Sequence, residues 1–377
     1  MKQTTTKLLR YRRQTALKEF GIEGQEKLIR SKVLVVGAGG LGCPVLQYLS
    51  AAGVGTIGII DFDKVELTNL HRQPLFGMDD IGKFKAEVAS IKLSSLNPEI
   101  KFDVYKIKLS SANALELINA FDVVIDGTDN FSSRYMINDA CVLLNKPLVY
   151  GAVLGFEGQV GVFNLVDKNN GIAANYRDLY PQPPQPNSVP SCNENGVLGV
   201  LPGIIGTMQA AEAIKIITGI GSPLRNIIVS YNVLNNFYYE ITISPLKSKR
   251  IKFPKTKSEF NNYDYEWFCG EVYKHHEITL EEFDILRKND DINIIDVREI
   301  EELTDSTEFS CIKIPLSRFK ESLSKLNTNN TIVVICQTGK RSLTAVKLIK
   351  DEFPECKAYS LQGGISEWKK HNQNNPV

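Results

Sequence analysis

Short apolar strands alternate with helix-like stretches along the first part of the chain. Residues 31–65, SKVLVVGAGGLGCPVLQYLSAAGVGTIGIIDFDKV, place two apolar runs, VLVV and TIGIID, on either side of a predicted helix. Runs that are apolar on both faces are typical of parallel strands covered by helices. The pattern therefore predicts a βαβ unit. Buried strands at 121–130, FDVVIDGTDN, and at 146–153, KPLVYGAV, extend the same sheet.

The apolar pattern stops near residue 246 and a second α/β pattern begins later. Residues 195–219 predict a long apolar helix that ends at a glycine, and the strands IIVSYN and NFYYEITI follow. From 247 to 275 no period is sustained, which is typical of a linker or a domain edge. INIIDVRE, TIVVICQTG and AYSLQGGISEWKK then predict a smaller unit. We expect an α/β fold with a Rossmann-like domain at 1–246 and a small α/β domain at 276–377.

Composition and charge narrow the classes of protein that are possible. A length of 377 residues suits two or three domains, and 43% hydrophobic with 23% charged residues is a globular composition. A net charge of +1 gives no general attraction to nucleic acid or membranes. The N-terminus lacks the apolar core of a signal peptide, and no apolar run is expected to cross a bilayer. Seven cysteines fit a reducing compartment, so we expect a cytoplasmic protein.

A glycine-rich motif follows the first predicted strand. Gly37, Gly39 and Gly42 satisfy the G-x-G-x-x-G spacing where a helix is predicted to begin. Glycines let the backbone turn tightly and approach a phosphate at a helix N-terminus. Asp61 ends the next strand, where an acid that binds ribose is expected. The motif therefore predicts a nucleotide site, and the alternative is a glycine-rich turn without a ligand.

Basic side chains beyond this acid bear on which nucleotide binds. Arg72 and Lys85 suit a triphosphate, whose oxygens must be neutralised during a displacement reaction. Asp129 follows another strand and is well placed to hold Mg²⁺. Alternatively, the two cations are solvated surface charges, or the chain is a dinucleotide-dependent oxidoreductase with a regulatory thiol domain. The predicted nucleotide site comprises Gly37, Gly39, Gly40, Gly42, Asp61, Asp63, Asn69, Arg72, Gln73, Lys85, Asp129 and Asn130.

Two cysteines lie where a reactive thiol is expected. Cys336 ends a buried strand and a helix begins near Lys340, so the loop between them can surround one sulfur with backbone N–H groups. Such a loop stabilises a thiolate or a persulfide, and the alternative is a cysteine buried at a strand end. Cys192 precedes a helix in PSCNENGVLG, and it is either a nucleophile or a spectator thiol. The predicted persulfide loop comprises Cys336, Gln337, Thr338, Gly339, Lys340 and Arg341.

Six motifs between about Leu9 and Ile243 are shared with one family: RYRRQ, GAGGLGCP, DFDKVELTNLHRQ, GKFKAE, DGTDNF and PSCNENGVLGVLPG. Through them the chain resembles the MoeB/ThiF (HesA) adenylyltransferases, which are relatives of ubiquitin-activating enzymes. The resemblance implies that a ubiquitin-like sulfur carrier of the MoaD or ThiS type presents its C-terminal Gly-Gly carboxylate to ATP and Mg²⁺. The carboxylate attacks the α-phosphate and gives an acyl-adenylate and pyrophosphate. It also implies a homodimer, because Arg13 would reach the ATP of a partner subunit; alternatively, Arg13 is an exposed N-terminal charge.

By the same motifs, the resemblance assigns Asp61 to the ribose and Asp129 to the metal, and it assigns Asn69, Arg72 and Lys85 to the phosphates. The matching loop cysteine, here Cys192, takes the acyl group or joins a persulfide relay in some members and is dispensable in others. The implied catalytic residues are Arg13, Arg72, Lys85, Asp129, Cys192 and Cys336.

Residues 276–372 resemble a rhodanese domain through IIDVRE, IPL, CQTGKRS and LQGGISEW. The resemblance implies that Cys336 carries a persulfide sulfur. STEFSC, 306–311, replaces the usual stretch before IPL, and Cys311 within it is expected to be in the core. Cys43, Cys141 and Cys356 are expected to be structural.

Two C-x-x-C pairs that bind zinc in most MoeB/ThiF relatives are incomplete here. The first position reads NYRD, 175–178, and the second reads EWFC, 266–269. One cysteine cannot form a closed tetrahedral thiolate site, so we predict no structural zinc. The side chains expected to hold this region by packing are Tyr263, Tyr265, Trp267 and Phe268.

The sequence therefore predicts a cytoplasmic, homodimeric enzyme that adenylylates a sulfur carrier and supplies sulfur as the Cys336 persulfide, giving a thiocarboxylate. The sulfur would come from a cysteine desulfurase or another donor, without nucleic acid or membrane partners. The rhodanese fusion favours molybdopterin biosynthesis. The alternatives are activation of ThiS for thiamin thiazole synthesis and a non-catalytic adaptor that docks a carrier and stores sulfur.

Overall fold

The computed structural model describes residues 9–166, 173–184, 196–245, 253–269, 276–288, 292–302, 310–353 and 355–374. The chain divides into two compact units, Met1–Tyr265 and Glu266–Val377. The segment predicted as a linker or domain edge therefore contributes its described residues up to 265 to the first unit. Within it, a helix at Lys257–Asn261 is capped by Thr256, and Phe260 is fully buried.

The first unit is built around one eight-stranded sheet. Its strands are β1 Lys32–Val36, β2 Thr56–Ile60, β3 Lys101–Tyr105, β4 Val123–Asp126, β5 Leu148–Leu154, β6 Glu157–Phe163, β7 Ile227–Asn232 and β8 Phe237–Thr242. Its helices are α1 Arg12–Thr15, α2 Gly21–Arg30, α3 Gly42–Ala52, α4 Lys85–Leu96, α5 Ala114–Asn119, α6 Phe131–Leu144, α7 Tyr176–Leu179, α8 Val200–Thr218 and α9 Lys257–Asn261, with 3₁₀ turns at Leu67–Asn69 and Met78–Asp80. Helix α10, Tyr265–Cys269, begins at the last residue of this unit.

The strand order is β3-β2-β1-β4-β5-β6-β7-β8. In this order the first five strands, β3, β2, β1, β4 and β5, are parallel to one another. Strands β6, β7 and β8 are each antiparallel to their neighbours. Alternate side chains of β1 and β2, among them Val33, Val35, Ile57 and Ile59, share one core cluster. The strand order reverses between β1 and β4, and ligands of such sheets bind beyond the strands' carboxyl ends at that point. The prediction of a Rossmann-like fold is confirmed.

Helix α8 corrects one expectation drawn from the sequence. By length and composition it is apolar enough to cross a membrane, so the expectation that no segment passes this test is wrong. However, the helix packs against α3 and strands β5 and β6, and Leu201, Ile205 and Ala213 are fully buried. It ends at Gly219, whose φ of 77° is left-handed, as the sequence predicts. This packing is that of a core helix in the first unit.

A buried ion pair joins three distant segments of the first unit. Arg177 donates through Nε and Nη2 to Oδ1 and Oδ2 of Asp139 at 2.8 and 2.7 Å, and both residues are 1% exposed. Tyr265 donates its hydroxyl to Asp139 Oδ2 at 2.9 Å. The Arg177 guanidinium also lies 4.8 Å from the centre of the Tyr135 ring. Burial, followed by the neighbouring Asp139 charge, raises the pKa of Tyr265, so its hydroxyl stays a donor.

The first of the two positions compared with zinc-binding pairs, 175–178, belongs to this network. Asn175 Oδ1 accepts from the N–H of Arg177 at 2.9 Å, and Asp178 Oδ2 accepts from the N–H of Asn175 at 2.8 Å. The rings of Tyr263 and Tyr265 lie 4.7 Å apart, as the packing hypothesis expects. Within the described part of the chain, no group of three His, Cys, Asp or Glu is placed to hold a metal. The absence of a structural zinc stays a prediction.

The second unit contains a five-stranded parallel sheet in the order β11-β10-β12-β13-β9. Its strands are β9 Glu277–Ile278, β10 Ile292–Asp296, β11 Ile312–Lys313, β12 Thr331–Ile335 and β13 Ala358–Leu361. Its helices are α11 Leu280–Leu286, α12 Leu316–Ser322, α13 Lys340–Glu352 and α14 Gly364–Asn374, with 3₁₀ turns at Ile300–Glu302 and Leu323–Lys325. Alternate residues of β12 enter two core clusters, so the sheet has apolar packing on both faces.

Replacing Asp139 by Ala is expected to lower the free energy of unfolding by about 3–5 kcal/mol, because a buried guanidinium loses its carboxylate. Tyr265→Phe is the matched control, since it removes one hydrogen bond and leaves the ion pair, at about 1 kcal/mol. Urea unfolding followed by far-UV circular dichroism measures both. Equal losses for the two variants would contradict a dominant role of the ion pair.

Candidate functional site

The glycine loop between β1 and α3 forms a backbone cradle at the switch point of the sheet. Gly37 has a φ of 93°, and its N–H donates to the carbonyl of Ile60 at 2.8 Å. A Cβ on Gly42 would lie 1.9 Å from the carbonyl oxygen of Gly37, and one on Gly37 would lie 2.8 Å from that of Gly127. Only glycine fits these positions, and the N-terminus of α3 is thereby aimed at the crevice, where it suits a phosphate.

Asp61 fixes the same loop from the neighbouring strand. Its Oδ2 accepts from the N–H of Ala38 at 2.7 Å, and its Oδ1 accepts from the N–H of Asp63 at 2.8 Å. The residue is 8% exposed, and burial raises the pKa of its carboxyl. Each oxygen keeps a further lone pair that could accept from a ribose hydroxyl. The structure places Asp61 where the sequence motif predicts a ribose ligand.

Lys85 is not a solvated surface charge. Its side chain is 8% exposed, and its Nζ lies 3.0 Å from Oδ2 of Asp63, which is half exposed. The backbone N–H of Lys85 also donates to the carbonyl of Asp63 at 2.9 Å. A lysine is rarely buried without a partner, so this pair holds the ammonium near the Asp61 carboxylate. The alternative that Lys85 is merely solvated does not agree with its burial.

Two side chains of the segment after Asp61, those of Arg72 and Gln73, reach the glycine loop. Asn69 and Gln73 are buried, and Gln73 Nε2 lies 3.7 Å from the Cβ position of Gly39. Arg72 is half-buried; its Nη1 donates to the Thr68 carbonyl at 2.9 Å. The aliphatic stem of Arg72 lies 3.6 Å from the Cβ position of Gly40. The structure therefore brings Arg72 and Gln73 to the glycine loop, whereas Asn69 Oδ1 accepts from the N–H of Glu66 at 3.2 Å within its own turn.

Asp129 extends from the loop that follows β4, and its side chain is exposed. Asn130 caps α6, and its Oδ1 accepts from the N–H of Ser133 at 2.9 Å. Mg²⁺ in nucleotide sites is commonly held by one or two carboxylates together with phosphate oxygens and water. An exposed Asp129 at the carboxyl edge of the sheet fits that requirement. Asn130 supports the loop through its cap instead of facing the crevice with a free amide oxygen.

Three residues near this loop were missed by the sequence reasoning: the buried Asp126 and Gln209, and the half-buried Arg134. Asp126 ends β4, and its Oδ1 accepts from the N–H and hydroxyl of Thr128 at 2.9 and 2.6 Å. Gln209 Nε2 donates to the Asp126 carbonyl at 2.7 Å, and Arg134 Nη2 donates to the Thr128 carbonyl at 3.2 Å. Burial raises the pKa of Asp126. Gln209 is one of several polar residues in the apolar helix α8, together with Glu212 and Lys215, so no local signal singled it out.

These three residues carry polar atoms that a ligand or water would have to satisfy. Oδ2 of Asp126, Nε of Arg134 and Oε1 of Gln209 are buried and have no hydrogen-bond partner among the described residues, and the same is true of Oε1 of Gln73. Buried polar atoms are usually paired in folded proteins. The polar groups around the glycine loop are therefore arranged as a site that accepts a polar ligand.

Arg13 lies far from the glycine loop of its own chain. Tyr11 is buried with its ring against Gly53, and its hydroxyl accepts from Asn97 Nδ2 at 2.8 Å. Gly53 follows the last turn of α3, whereas the glycine loop precedes the first, and 11 residues of helix separate them by about 16 Å. Arg13 itself is exposed. The anchored N-terminus thus presents Arg13 at the end of α3 opposite the crevice.

Cys336 lies at the end of β12 and is fully buried, inside a loop here called the sulfur loop, Cys336–Arg341. The carbonyls of Cys336 and Gln337 accept from the N–H groups of Ile365 and Ser366 at 2.9 and 3.1 Å. Consequently the loop carbonyls face α14. The N–H groups of residues 337–341 make no hydrogen bond within the described chain. An array of unpaired N–H groups at a helix N-terminus suits an anion such as a persulfide.

The two cations of the sulfur loop are in different surroundings. Arg341 donates through Nη1 and Nη2 to the two carboxylate oxygens of Glu302, the second at 2.7 Å. This hydrogen bonding lowers the pKa of Glu302 to about 2. Lys340 is exposed. From the sequence, Lys340 and Arg341 were expected to add positive charge to this loop, and the structure pairs Arg341 with Glu302.

The remaining cysteines are sorted by burial. Cys43 and Cys141 are fully buried and Cys356 is nearly so, as expected of structural residues. Burial raises the pKa of Cys43 to about 12, and its thiol donates to the Ala38 carbonyl at 3.4 Å. Cys311 is half-buried against a core cluster of the second unit. Cys192 lies outside the described residues.

A glycine cradle with a ribose-type acid, a buried lysine and an exposed carboxylate defines a nucleotide-binding enzyme site, and the sulfur loop defines a sulfurtransferase site. The ThiF family matches residues 11–252, and the rhodanese-like domain matches residues 279–371. The chain belongs to the ThiF family and carries a C-terminal rhodanese-like domain. It is an adenylyltransferase with a sulfurtransferase domain.

Relatives similar over most of the chain have the same two-domain description. The chain is 42% identical over 375 residues to the probable adenylyltransferase/sulfurtransferase MoeZ of Mycobacterium tuberculosis, with 97% of this chain and 93% of that protein covered. The sulfur carrier protein adenylyltransferase of Thermus thermophilus is 47% identical over 273 residues, which are 72% of this chain and 99% of that protein. Adenylyltransferase and sulfurtransferase MOCS3 of Aedes aegypti is 37% identical over 392 residues, with 98% and 88% covered.

Solved structures support the fold of the first unit. E. coli MccB, in a structure with MccA-N7isoASN, matches with a TM-score of 0.57 and 23% identity over 65% of this chain and 74% of that chain. PaaA matches with a TM-score of 0.52 and 24% identity over 64% of this chain and 75% of that chain. At this level of identity the likeness extends to the fold alone.

Gly42→Ala is expected to abolish ATP binding, because its Cβ would lie 1.9 Å from a carbonyl oxygen of the phosphate cradle. Gly203→Ala is the control, since a Cβ there meets nothing within 4 Å. Isothermal titration with ATP, alongside thermal unfolding of both variants, measures the effect. ATP binding by Gly42→Ala at wild-type affinity would contradict the described cradle.

Proposed function

We propose that the first unit adenylylates the C-terminal glycine of a ubiquitin-like sulfur carrier of the MoaD or ThiS type, with ATP as the second substrate. The observation that carries the proposal is the glycine cradle closed by Asp61 beside the buried Lys85. The name of the Thermus thermophilus relative, a sulfur carrier protein adenylyltransferase, supports this substrate class. Asp61 accepts from the ribose, and the loop N–H groups bind phosphate oxygens.

The reaction joins the carrier carboxylate to the α-phosphorus and releases pyrophosphate. Lys85 and Arg72 lie beside the cradle and neutralise the charge that develops on the phosphate oxygens. Asn69 and Gln73 hold the turn that carries Arg72. Asp129 would hold Mg²⁺, which supplies positive charge to the triphosphate when it is bound. A structural zinc is not part of the proposal.

Cys336 then supplies sulfur to the activated carrier. Its persulfide attacks the acyl-adenylate carbonyl, AMP leaves, and the carrier is joined to Cys336 through an acyl disulfide. A second thiol, which we propose to be Cys192, attacks the Cys336 sulfur and releases the carrier as a thiocarboxylate. The resulting disulfide is returned to two thiols by an external thiol reductant. Covalent linkage of the two domains raises the effective concentration of the persulfide near the adenylate.

The enzyme is proposed to act as a homodimer. Arg13 is exposed at the end of α3 opposite the glycine loop, so it does not serve the site of its own chain. A two-fold arrangement would let each protomer supply Arg13 to its partner. A cytoplasmic location and a role in molybdopterin biosynthesis complete the proposal, and the rhodanese fusion favours that pathway over thiazole synthesis.

The first test is ATP–pyrophosphate exchange with MoaD-type and ThiS-type carriers supplied separately. Exchange should require one of the two carriers, which identifies the pathway. Asp129→Ala should lower exchange by at least about a hundredfold, because charge compensation at the phosphates is lost. Glu116→Ala, on the separate helix α5, is a control that should retain exchange. Binding of NAD(H) instead of ATP would support the oxidoreductase alternative, and no exchange with either carrier would support the adaptor. Exchange unchanged in Asp129→Ala would contradict the role proposed for Asp129.

The homodimer is tested by mixing two inactive variants. Arg13→Ala and Asp129→Ala should each lack exchange alone. If Arg13 acts in the partner's site, subunit exchange in an equal mixture restores about a quarter of wild-type exchange, since half of the dimers are mixed and one of their two sites is intact. No recovery after demonstrated subunit exchange would place Arg13 outside the partner's site.

A further inference from the structure

The ion pair between Glu302 and Arg341 reduces the positive charge that the sulfur loop can offer to an anion. Both guanidinium Nη atoms donate to the Glu302 carboxylate, one to each oxygen, which is the bidentate geometry of strong ion pairs. The backbone N–H of Glu299 donates to the same carboxylate at 3.1 Å. Three donors thus fix Glu302, although its side chain is 38% exposed.

The topology explains why a residue 39 positions away reaches the sulfur loop. Strands β10 and β12 are parallel neighbours, and Asp296 pairs with Ile335, so both strands end side by side. Glu302 belongs to the 3₁₀ turn that follows β10, and the sulfur loop follows β12. The loop thiol and Glu302 therefore act on the same guanidinium: hydrogen bonding to Glu302 is the main cause of the raised pKa of Arg341, and the charge of Cys336 adds to it.

This pairing changes which sulfur donors the loop can receive. Free Arg341 would attract an anion toward Cys336, whereas the ionised Glu302 cancels that charge and repels a second negative charge. The pKa of about 2 means that Glu302 stays ionised under any ordinary assay condition. Lys340 makes no ion pair within the described residues and remains the available cation. One cation suits a donor with at most one negative charge better than a dianion.

We propose that Glu302 is a specificity-determining residue of the sulfur site, which disfavours dianionic inorganic donors and leaves neutral or monoanionic persulfides as preferred donors. The proposal rests on the sulfur-transfer half of the proposed function. With thiosulfate, the Cys336 thiolate attacks the outer sulfur, the S–S bond breaks and sulfite leaves with the electron pair. With a persulfide R–S–SH, the same attack on the terminal sulfur releases the thiolate R–S⁻. Both routes give the Cys336 persulfide.

The test compares two donors, the dianion thiosulfate and the monoanion cysteine persulfide, with cyanide as the sulfur acceptor and the full chain as enzyme. Cyanide removes the terminal sulfur as thiocyanate and regenerates the thiolate. Glu302→Gln should raise kcat/KM for thiosulfate at least about fivefold, mainly through KM, because Arg341 is released from its partner. The kcat/KM for cysteine persulfide should change less than about twofold, because this donor carries a net charge of only about −1 and its ammonium group offsets part of the attraction to Arg341.

Two further variants separate this effect from a general change of charge. Glu299→Gln removes a charge that also acts on Arg341 through space. However, the Glu299 carboxylate accepts from Ser317, at 3.1 Å from its N–H and 2.8 Å from its hydroxyl, so this variant should change the donor ratio much less than Glu302→Gln. In the Arg341→Gln background, Glu302→Gln should give no gain with thiosulfate, since the cation that it releases is absent.

The outcomes distinguish this inference from the function on which it rests. An active wild type with an unchanged Glu302→Gln variant overturns the inference and leaves the proposed function standing. An equal rise with both donors, or a gain that persists without Arg341, also overturns it. If no chain, wild type included, transfers sulfur from either donor to cyanide, the sulfur-transfer half of the proposed function fails and the inference fails with it.

Discussion

The nucleotide site depends on a close approach of three stretches of backbone. Gly37, Gly42 and Gly127 come so near to one another that a Cβ on any of them would lie within 3 Å of a carbonyl oxygen. This contact brings the end of β1, the start of α3 and the end of β4 to one point. The N–H groups of the loop, the exposed Asp129 and the buried Asp126 share that point as a consequence. A side chain on any of these glycines would separate the phosphate cradle from the carboxylates.

The second unit uses the same construction for a different anion. A parallel strand ends at Cys336, a glycine with a φ of 87° turns the chain at Gly339, and helix α13 begins. Gly364 allows the contact, since its Cβ would lie 2.4 Å from the Cys336 carbonyl oxygen. In the first unit this arrangement suits a phosphate, and in the second it surrounds a single sulfur. The chemistry differs because a cysteine occupies the last strand position in one loop and none does in the other.

Local sequence patterns predict the positions of both anion loops, but they do not predict which residues pair across long stretches of the chain. The G-x-G-x-x-G spacing, Asp61 and the CQTGKRS loop are read within a few residues, and the structure places them at strand ends as predicted. Asp139 meets Arg177 38 residues later and Tyr265 126 residues later, and Arg341 meets Glu302 39 residues away. No periodicity identifies such partners, because they are set by the strand order. Asp126 belongs to the motif DGTDNF, but neither its burial nor the hydrogen bond that its carbonyl accepts from Gln209 of α8 could be predicted from neighbouring residues.

The distinction between local patterns and long-range pairing also applies to the lysine and arginine side chains of the two anion loops. Lysine and arginine types can be recognised in the sequence, but their effective charge depends on what each one meets in the fold. Lys85 is buried with Asp63, which is itself half exposed, so the ammonium is held in position while its partner remains partly screened by water. A triphosphate with several negative charges competes well for such a lysine, because the screened carboxylate offers the weaker attraction. Arg341 donates from both Nη atoms to the Glu302 carboxylate. A singly charged or neutral donor attracts the guanidinium too weakly to replace that carboxylate. The fold thus gives two similar anion loops different charges, and this difference follows from one acidic partner in each.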